Sequence, residues 1–551
     1  MTKQQPPFKL NDIIEVNITG LGSSGEGVGK ADGFTVFVHG ALPGEKVSVK
    51  LFQVKKSYAS GRILNILEES PQRVKPQCVF YEKCGGCQLQ HLSYEGQLAV
   101  KRQQVKDAIE RIGHITGCEV LPVLGMENPW HYRNKMQFPA AKTEGKIQIG
   151  CYAALTHNVI NIDDCLIQKQ ANNKIMQVVR QWMQQFNISA YDETTGKGVV
   201  RHVMGRAGAK TGEVMAVIVT ACYDIPHAGE LVTMLKTEVE GLKSIVQNIN
   251  KKRTNIIMGA KNRVLYGKST IKDRLGNLKF NISPLSFFQV NSAQTEKLYA
   301  TALDFAALSG KETVIDCYCG TGTISLYLAQ KARKVYGIEI VEPAIKDANE
   351  NAKANNIANA EFICGDAAVE MPALLKSGVK PDTVLLDPPR AGCDKKVLAA
   401  IAGVKPEKIV YVSCNPASLA RDMAFLTENG YKAVKAQPVD MFPMTSHVET
   451  VVLLSKGEID SKKVRVEFSL EDMDMSGFQK GATYEQIKAY VLKHTGLKVS
   501  SLYISQVKRK CGLDVGQNYN LSKKEDAKVP QCPPEKEAAI MEALKHFQML
   551  E

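Results

Sequence analysis

Residues 313–330 read TVIDCYCGTGTISLYLAQ, and this stretch decides the fold of the domain in which it lies. It begins with the pattern of a buried strand, passes through a turn that contains Gly320 and Gly322, and continues with helical spacing of apolar residues. The glycines allow a tight turn, and the helix N-terminus can face a polar ligand. Because the full dinucleotide fingerprint is missing, the stretch alone also fits a purely structural turn.

The sequence after this turn continues to alternate between strands and helices. Short runs rich in β-branched residues occur at 334–340, 360–366, 383–389 and 408–414, and helical segments separate them. This alternation predicts a doubly wound parallel sheet within residues 271–457. Ligands of such sheets bind at the carboxyl ends of the strands, so the residues there are the site candidates.

Acidic residues occupy the predicted carboxyl ends of successive strands. Glu339 follows the glycine turn by about 20 residues, where a carboxylate can accept hydrogen bonds from ribose hydroxyls. Asp366 ends the next strand, as a candidate for the adenine edge, and Asp387 of LLDPPR ends the one after. Together with Asp316 and Gly320 of the turn they outline a crevice. A carboxylate-lined crevice disfavours a pyrophosphate and suits a cationic nucleoside such as S-adenosyl-L-methionine.

A cysteine and a glutamate complete the predicted sheet edge. Cys414 follows the strand KIVYVS, and the Asn-Pro after it ends that strand, although a packed structural cysteine is the alternative. Glu449 begins a later apolar run and reaches the same edge if that strand is antiparallel. A thiolate that adds to carbon 6 of uracil makes carbon 5 nucleophilic toward a methyl sulfonium, and a base must then remove the carbon-5 proton. One cysteine and one carboxylate meet this need.

DCYCGTGT, DPPRAG, SCNPASLARD and DMFPMTSHVETVVLL together resemble the RNA (uracil-C5)-methyltransferase family, over roughly residues 8–457. The resemblance implies that Cys414 is the nucleophile and Glu449 the general base. It also implies S-adenosyl-L-methionine as the cofactor and a set of residues around it. The set comprises Gln289 of FFQVN, Tyr318, Glu339 and Asp387, with Arg390 and Asn415 in support. Ser418 stands where the family more often has threonine, and the hydroxyl is kept.

A second group of cysteines has the spacing of a metal site. CVFYEKCGGCQLQHL contains Cys78, Cys84 and Cys87, and Cys165 of NIDDCLIQ is the candidate fourth ligand. Four thiolates bind zinc or an iron–sulfur cluster, and the spacing alone does not choose between them or exclude a metal-free role. The pattern is similar to the 4Fe–4S site of the ribosomal branch of the family. That resemblance favours the cluster, with zinc as the alternative, in a structural or RNA-positioning role.

The chain is long enough for several domains, and its patterns divide it into four. Alternating short strands and Gly-rich turns in residues 1–70 predict an OB-like β-barrel, which resembles a TRAM domain that binds RNA. Residues 71–270 predict a central α+β domain that carries the cysteines; its helix at 93–112 is a candidate to pack on the catalytic domain. Residues 271–457 form the Rossmann-like methyltransferase domain, and 458–551 a small helical extension.

The extension lies outside the family resemblance. GEIDSKK at 457–463 predicts a linker, 484–512 predicts two helices with helix-turn-helix spacing, and 522–534 predicts a charged tail before a last helix. An additional RNA-contacting unit and a packing or oligomer element both fit this pattern.

Bulk composition limits the remaining choices. The net charge of +13 suits a polyanionic partner, and no stretch approaches the roughly 20 apolar residues of a membrane span. Because the N-terminus lacks a signal-peptide pattern, we expect a cytoplasmic protein. We expect a monomer rather than an oligomer, and neither a membrane nor DNA as a partner. A DNA cytosine methyltransferase places its cysteine after proline, whereas this chain has Ser-Cys-Asn-Pro.

These observations predict methylation of uridine carbon 5 in 23S ribosomal RNA, through a covalent bond between Cys414 and carbon 6. Two alternatives stay open, which are the same chemistry on transfer RNA and a non-catalytic RNA-binding factor of ribosome assembly. The cysteine group and the TRAM-like barrel favour ribosomal RNA, because the simpler bacterial transfer-RNA branch usually lacks both.

Overall fold

The computed structural model describes residues 6–154, 156–457, 484–511, 532–547 and 549. The chain divides into two compact units, 1–459 and 460–551. Most of the predicted linker at 457–463 and of the charged tail at 522–534 lies outside the described residues. None of the helices in the described ranges has the length and apolar character that a membrane crossing requires.

The first unit begins with a closed five-stranded barrel in the order β1-β2-β3-β5-β4. Alternate residues of each strand point inward, as Val47, Val49 and Leu51 do in the fourth strand, and their side chains fill the interior. The barrel confirms the predicted OB-like fold. Its strands are β1 (Ile13–Leu21), β2 (Gly27–Ala31), β3 (Phe34–His39), β4 (Lys46–Val54) and β5 (Tyr58–Glu68).

The central region is a seven-stranded sheet in the order β13-β12-β11-β10-β7-β8-β9, in which only β11 and β12 pair in parallel. Helices α2 (Gln170–Gln185) and α3 (Ala228–Glu238) cover one face, and the buried Trp182 joins the two layers. The strands are β7 (Lys135–Thr143), β8 (Lys146–Tyr152), β9 (Val159–Asn161), β10 (Val200–Ala207), β11 (Val214–Thr220), β12 (Leu242–Ile249) and β13 (Lys261–Gly267).

A hairpin of β14 (Ile271–Leu275) and β15 (Leu278–Ile282) leads into an eight-stranded sheet in the order β18-β17-β16-β19-β20-β22-β21-β6. Its first five strands are parallel, and β22 runs antiparallel to both neighbours. The strands are β6 (Glu119–Val120), β16 (Thr313–Cys317), β17 (Lys334–Glu339), β18 (Ala360–Cys364), β19 (Thr383–Leu386), β20 (Lys408–Ser413), β21 (Tyr431–Val439) and β22 (Glu449–Lys456).

Helices cover both faces of the eight-stranded sheet, which confirms the predicted Rossmann-like fold. Val314 and Ile315 are adjacent in β16 yet belong to different buried clusters, one on each face. The helices are α4 (Ser292–Ala306), α5 (Thr323–Ala329), α6 (Glu342–Ala354), α7 (Ala367–Lys376), α8 (Lys395–Val404) and α9 (Pro416–Glu428).

Helix α1 (Tyr94–Asp107) packs on the eight-stranded sheet, and its C-terminal end continues as a π-helical turn, Ala108–Ile112. Strand β6 pairs with β21 of the same sheet. Both elements come from the range 71–270, which we assigned to the central domain. The packing of α1 is the one that we expected for the helix at 93–112. Because β6 pairs with a strand more than 300 residues later, local sequence patterns give no sign of the β6 pairing.

The second unit is described through three helices, α10 (Tyr484–Thr495), α11 (Ser501–Lys510) and α12 (Pro534–His546). They bury a shared apolar cluster that includes Ile487, Ile504 and Ile540. Ser500 caps α11, because its hydroxyl accepts a hydrogen bond from the Tyr503 N–H. The predicted pair of helices around a glycine turn is therefore present, and α12 supplies a third side to its core.

Candidate active site

The turn between β16 and α5 is built on backbone that favours glycine. Gly320 and Gly322 have φ angles of 55° and 76°. A Cβ at Gly322 would approach Phe362 to 2.8 Å, so a side chain there would collide with a packed ring. The Gly320 N–H donates to Glu339 Oε2 at 3.1 Å, and the Val341 N–H donates to Oε1 at 2.9 Å. Glu339 therefore links the turn to the end of the neighbouring strand.

Asp316 lies below this turn and does not line the crevice. Its side chain is fully buried, and it accepts a hydrogen bond from the Ser325 hydroxyl of α5. Its other oxygen, Oδ1, has no hydrogen-bond partner among the described residues. Burial raises the pKa of Asp316 to about 8. The contacts show a residue that holds the turn onto its helix, whereas the sequence had suggested a cofactor contact.

Tyr318 has a strained backbone, with a φ angle of 69° in the left-handed region that non-glycine residues rarely adopt. This conformation turns the ring toward the crevice. The Tyr318 hydroxyl accepts from the Asp394 N–H at 3.3 Å and lies 3.5 Å from Cys393 Sγ. Tyr318 thus ties the glycine turn to the loop that follows Asp387.

Cys414 stands between strand β20 and helix α9. The Asn415 side chain caps α9 by accepting from the Ala417 N–H at 3.0 Å, and Pro416 occupies the first helical turn. Asn415 Nδ2 also donates to the Arg390 carbonyl at 3.1 Å. These bonds fix the half-buried thiol beside the loop of Asp387 and Arg390.

Glu449 is the first residue of β22 and is 6% exposed. Since β22 runs antiparallel to β20, with Thr450 opposite Ser413, its first residue lies beside the last residues of β20. The antiparallel pairing brings Glu449 and Cys414 to one edge of the sheet, as the sequence-based argument requires.

One crevice of about 830 Å³ collects most of the predicted side chains. Asp316 lies below it and Asn415 supports it from behind, while Asp366 caps helix α7 at its rim by accepting from the Ala368 N–H at 2.9 Å. The predicted residues that line it are Gln289, Tyr318, Gly320, Glu339, Asp366, Asp387, Arg390, Cys414 and Glu449.

Burial raises the pKa values of the acids and of the thiol in the crevice. Burial raises the pKa of Glu449 to about 8, with a further contribution from Asp387, and burial raises the pKa of Asp387 to about 7. Burial and these two carboxylates raise the pKa of the Cys414 thiol to about 11. The positive charge of Arg390 opposes the rise in the pKa of Cys414 and of Glu449. A cation that enters the crevice would favour the ionised acids.

Several crevice residues escaped the sequence analysis. Arg133, Lys135 and Gln137 reach it from the central sheet, and Phe442 and His447 reach it from the loop before Glu449. Burial, together with two neighbouring arginines, lowers the pKa of Lys135 to about 8. The cations of YRNKMQF were visible in the sequence, but their place depends on how the two sheets pack.

Hydrogen bonds fasten the central sheet to the loop that carries Gln289. Asn134 donates through Nδ2 to the Gln289 carbonyl and to Ser292 Oγ, both at 3.0 Å. From the neighbouring strand, Arg206 donates to the Pro284 and Ser286 carbonyls. The crevice wall that Gln289 forms is therefore held by Arg206 of β10 and by Asn134, which directly precedes β7.

A buried ion pair supports the loop before Glu449. Lys101 of α1 lies 2.6 Å from Asp440, and both side chains are 0% exposed. Lys101 also donates to the Phe442 carbonyl at 3.1 Å, and the Tyr94 hydroxyl donates to Asp440 at 2.8 Å. Helix α1 thereby fixes the segment that leads into Glu449.

The predicted cysteine ligands lie in one neighbourhood. The thiols of Cys78, Cys84, Cys87 and Cys165 act electrostatically on one another, and burial raises the pKa of Cys87 to about 12. The structure adds Cys151, whose hydrogen bonding lowers the pKa of Cys84 to about 7. No three His, Cys, Asp or Glu side chains within the described ranges are already arranged to hold a metal ion. The donor chemistry thus fits a thiolate-bound centre, and the side-chain arrangement is not that of a closed metal site.

Comparison with known proteins places these features in a family. Residues 93–457 match the family model described as tRNA (uracil-5-)-methyltransferase, and residues 7–64 match the TRAM domain. An uncharacterized RNA methyltransferase of Clostridium tetani is 52% identical over 453 residues, which are 82% of this chain and 98% of the relative. A relative from Halalkalibacterium halodurans with the same description is 49% identical, over 82% of this chain and 99% of the relative.

The fold has a solved counterpart. The tRNA (uracil-54, C5)-methyltransferase of Pyrococcus abyssi, solved in complex with S-adenosyl-L-homocysteine, aligns with a TM-score of 0.64 and 29% identity. The alignment covers 80% of this chain and all of the other. By the family match and these relatives, the chain belongs to the tRNA (uracil-5-)-methyltransferase family and carries a TRAM domain at its N-terminal end.

Proposed function

We propose that this protein transfers a methyl group from S-adenosyl-L-methionine to carbon 5 of a uridine in RNA. The observation that carries the proposal is the pairing of Cys414 and Glu449 at adjacent strand ends, above the glycine turn and beside Asp387. Family membership supports the RNA substrate, and the S-adenosyl-L-homocysteine complex of the Pyrococcus enzyme supports the cofactor. Gln289, Tyr318, Glu339 and Asp387 are the residues that would hold the cofactor.

Cys414 begins the reaction by bonding to carbon 6 of the uracil. The thiolate is the reactive form, and the raised pKa of Cys414 means that its proton must pass to water or to the ionised Asp387 as the uracil binds. Arg390 favours the thiolate by its positive charge. Addition at carbon 6 moves an electron pair into the ring, so that carbon 5 becomes nucleophilic. When bound, S-adenosyl-L-methionine supplies an electrophilic methyl group for carbon 5.

Glu449 completes the cycle as the general base. After methylation carbon 5 carries both the methyl group and a proton, and Glu449 removes that proton. The electron pair then reforms the double bond between carbons 5 and 6, and the bond between carbon 6 and the Cys414 sulfur breaks. A base with a pKa near neutrality suits this step, and burial raises the pKa of Glu449 to about 8.

We further propose 23S ribosomal RNA as the substrate, since the barrel and the four cysteines resemble the ribosomal branch. Transfer RNA is the second candidate, because the Pyrococcus neighbour acts on transfer RNA by its description. The alignment with the Pyrococcus enzyme covers 80% of this chain, which is more than the residues 93–457 that match the family model. The two chains therefore share structure outside the segment that matches the family model. The choice between the two RNAs therefore depends on an assay.

The test uses purified protein, S-adenosyl-L-methionine with a labelled methyl group, and transcripts of 23S ribosomal RNA and transfer RNA. We expect labelled 5-methyluridine in the ribosomal transcript, read by mass spectrometry after digestion. Cys414→Ala should lower the rate by at least ~1000-fold while RNA binding persists, because addition of the thiolate is the step that makes carbon 5 nucleophilic. Cys118→Ala is the control, since Cys118 is half-buried and lies outside the crevice.

Each outcome has a defined meaning. Label confined to transfer RNA would keep the chemistry and replace the substrate. Label that persists in Cys414→Ala would contradict the covalent mechanism. An inactive wild-type protein on both transcripts, with RNA still bound, would favour a binding factor.

We also propose that Cys78, Cys84, Cys87 and Cys165 hold a 4Fe–4S cluster, with zinc as the alternative. Their shared neighbourhood and thiolate chemistry support this assignment. Protein purified without oxygen should contain iron and acid-labile sulfide, and Cys87→Ser should lose both. Zinc without sulfide would instead identify a zinc site.

A further inference from the structure

Residues 241–272 contain eight lysines and arginines and no aspartate or glutamate. All eight cationic side chains are exposed. No carboxylate lies within ion-pair distance of any of them in the part of the chain that the structure describes. The cations are Lys243, Lys251, Lys252, Arg253, Lys261, Arg263, Lys268 and Lys272. The segment therefore contributes +8 to a chain whose net charge is +13.

Five of these cations gather at one end of the outer strands of the central sheet. Lys251, Lys252 and Arg253 lie in the connection after β12, and Lys261 and Arg263 lie in the first half of β13. We call these five residues the basic edge, because β13 is the edge strand of its sheet. Carboxylates lie nearby on two loops. Asp224, after β11, acts in the same neighbourhood as Lys251, and Arg253 donates to the carbonyl of Thr195, whose hydroxyl donates to Asp192.

The connection that carries the basic edge is held in place. Arg201 donates to the Asn250 carbonyl at 3.0 Å and to the Lys252 carbonyl at 2.7 Å. Asn250 Nδ2 donates to the Ile256 and Ile257 carbonyls at 2.6 and 3.0 Å. These bonds fix the backbone beneath the cations, so the backbone needs little further ordering when a partner binds.

An exposed aromatic residue lies among the cations. Tyr223 is 54% exposed, and the Arg263 guanidinium lies 5.2 Å from the centre of its ring. An arginine over an exposed tyrosine is a surface on which an unpaired base can stack. Phosphate-binding charge beside a stacking surface is the combination that single-stranded RNA requires.

The basic edge is separate from the catalytic crevice. Strand β10 runs from Arg201, which holds the basic connection, to Arg206, which holds the loop before Gln289. These five steps along a strand span about 17 Å. An RNA chain that reaches from the crevice to the basic edge must therefore extend by several nucleotides from the target uridine.

We propose that the basic edge binds the phosphate backbone of the RNA substrate next to the segment that enters the crevice. The inference rests on the proposed function for its RNA partner. Lysines on an edge strand also prevent sheet-to-sheet aggregation, and this protective role is the alternative that a test must separate. Charge reversal separates the two roles, because glutamates keep the edge charged and repel phosphates.

The test compares two full-length variants with the same change in net charge. The first carries K251E, K252E, K261E and R263E on the basic edge. The control carries K331E, K353E, K376E and K380E, four exposed lysines on the methyltransferase domain. The probe is an unmodified transcript of 23S ribosomal RNA, and a transfer RNA transcript is tested in parallel. Binding is measured in a salt titration from about 50 to about 400 mM KCl.

We expect the first variant to bind the ribosomal transcript at least ~30-fold more weakly than wild-type protein near physiological salt, and the control to bind within ~3-fold. The slope of log affinity against log salt should fall by about 3 to 4, because each phosphate contact contributes about 0.9. At saturating RNA the rate of methyl transfer should stay within ~2-fold of wild type, since the crevice is intact.

If both variants bind RNA as tightly as the wild-type protein, the inference is overturned, and edge protection is left as the role of these cations. Equal loss in both would also overturn it, because net charge alone would then account for binding. If the glutamate variant fails to fold, the same four positions are changed to glutamine and the slope is compared. Binding is read without catalysis, so a wild-type protein that methylates neither transcript would refute the proposed function while the basic edge is still tested.

Discussion

The crevice and the basic edge treat charge in opposite ways. In the crevice, Asp387 and Glu449 carry pKa values raised to about 7 and 8, because their surroundings exclude water. On the basic edge, Lys251, Lys261 and Arg263 are exposed, and none belongs to an ion pair in the described ranges. The crevice places few charges at fixed positions, and the edge displays many of them to solvent.

The difference agrees with the roles that we propose for the two regions. A base or a nucleophile acts on one atom, so its strength must be tuned by burial and by its neighbours. A phosphate chain is recognised by summed charge at longer range, which requires solvated groups but little tuning. Buried charges should therefore show large single-site effects, and exposed charges small ones that add up.

The largest single-site effect within this comparison is expected at Glu449. Glu449→Gln keeps the shape of the side chain and removes the base, so turnover should fall by about 100- to 10,000-fold. Because Cys414 still adds to the uracil, a covalent protein–RNA complex should accumulate and survive denaturing electrophoresis. Glu361→Gln, at an exposed position of β18, is the matched control and should form no such complex. Normal turnover by Glu449→Gln would exclude this residue as the base.

The next effect concerns stability at the buried ion pair. Asp440→Asn leaves Lys101 charged, fully buried and without its counter-ion, which should lower the free energy of unfolding by about 3–5 kcal/mol. Glu361→Gln breaks the exposed pair with Lys334, which should cost at most about 1 kcal/mol. Urea unfolding of both variants measures the contrast. Equal losses would mean that burial does not distinguish these two charge pairs.

The smallest expected effect is a dependence of stability on pH. Glu449, Asp387 and Asp316 have folded-state pKa values raised to about 8, 7 and 8. Between pH ~4 and pH ~8 the folded protein therefore holds more protons than the unfolded chain. The stability that these groups contribute at low pH falls as the pH rises above ~4, and it is fully lost once the pH has passed about 8. Glu449→Gln removes one titrating group, so the variant does not lose the part of the stability that Glu449 gives up as the pH rises. Its melting temperature relative to wild type should be higher at pH ~9 than at pH ~5.

Melting curves at the two pH values check this sign. A variant that gains nothing at the higher pH would show that Glu449 ionises in the folded protein without loss of stability. The exposed cations of the basic edge offer the comparison, since their neutralisation should change the melting temperature little at either pH.

The sequence placed most of the candidate residues at one crevice, for a local reason. The glycine turn, the strand ends at Glu339, Asp366 and Asp387, and the Ser-Cys-Asn-Pro stop are set by neighbouring residues. A parallel sheet brings such ends to one edge whatever the details of packing. The predicted position of Glu449 depended on one assumption, that the last strand is antiparallel, and the structure has that pairing.

Asp316 shows where this reasoning reaches its limit. It lies near the end of a strand as Asp387 does, but the Ser325 hydroxyl donates a hydrogen bond to it from α5, and its side chain is buried beneath the turn. Whether an acidic residue at a strand end faces the crevice or the core depends on a side-chain partner from the next helix. The sequence pattern places the residue and leaves its direction open.

The sequence by itself determined the order of strands and helices, the barrel, and the candidate nucleophile and base, because these depend on periodicity and on turn residues a few positions apart. Only the tertiary structure decided which distant elements complete the site. Lys101 meets Asp440 across more than 300 residues, Lys135 reaches the crevice from another sheet, and Cys151 joins the other thiols. Such contacts arise when separate layers of the fold pack on one another. Patterns of neighbouring residues in the sequence do not indicate how those layers pack.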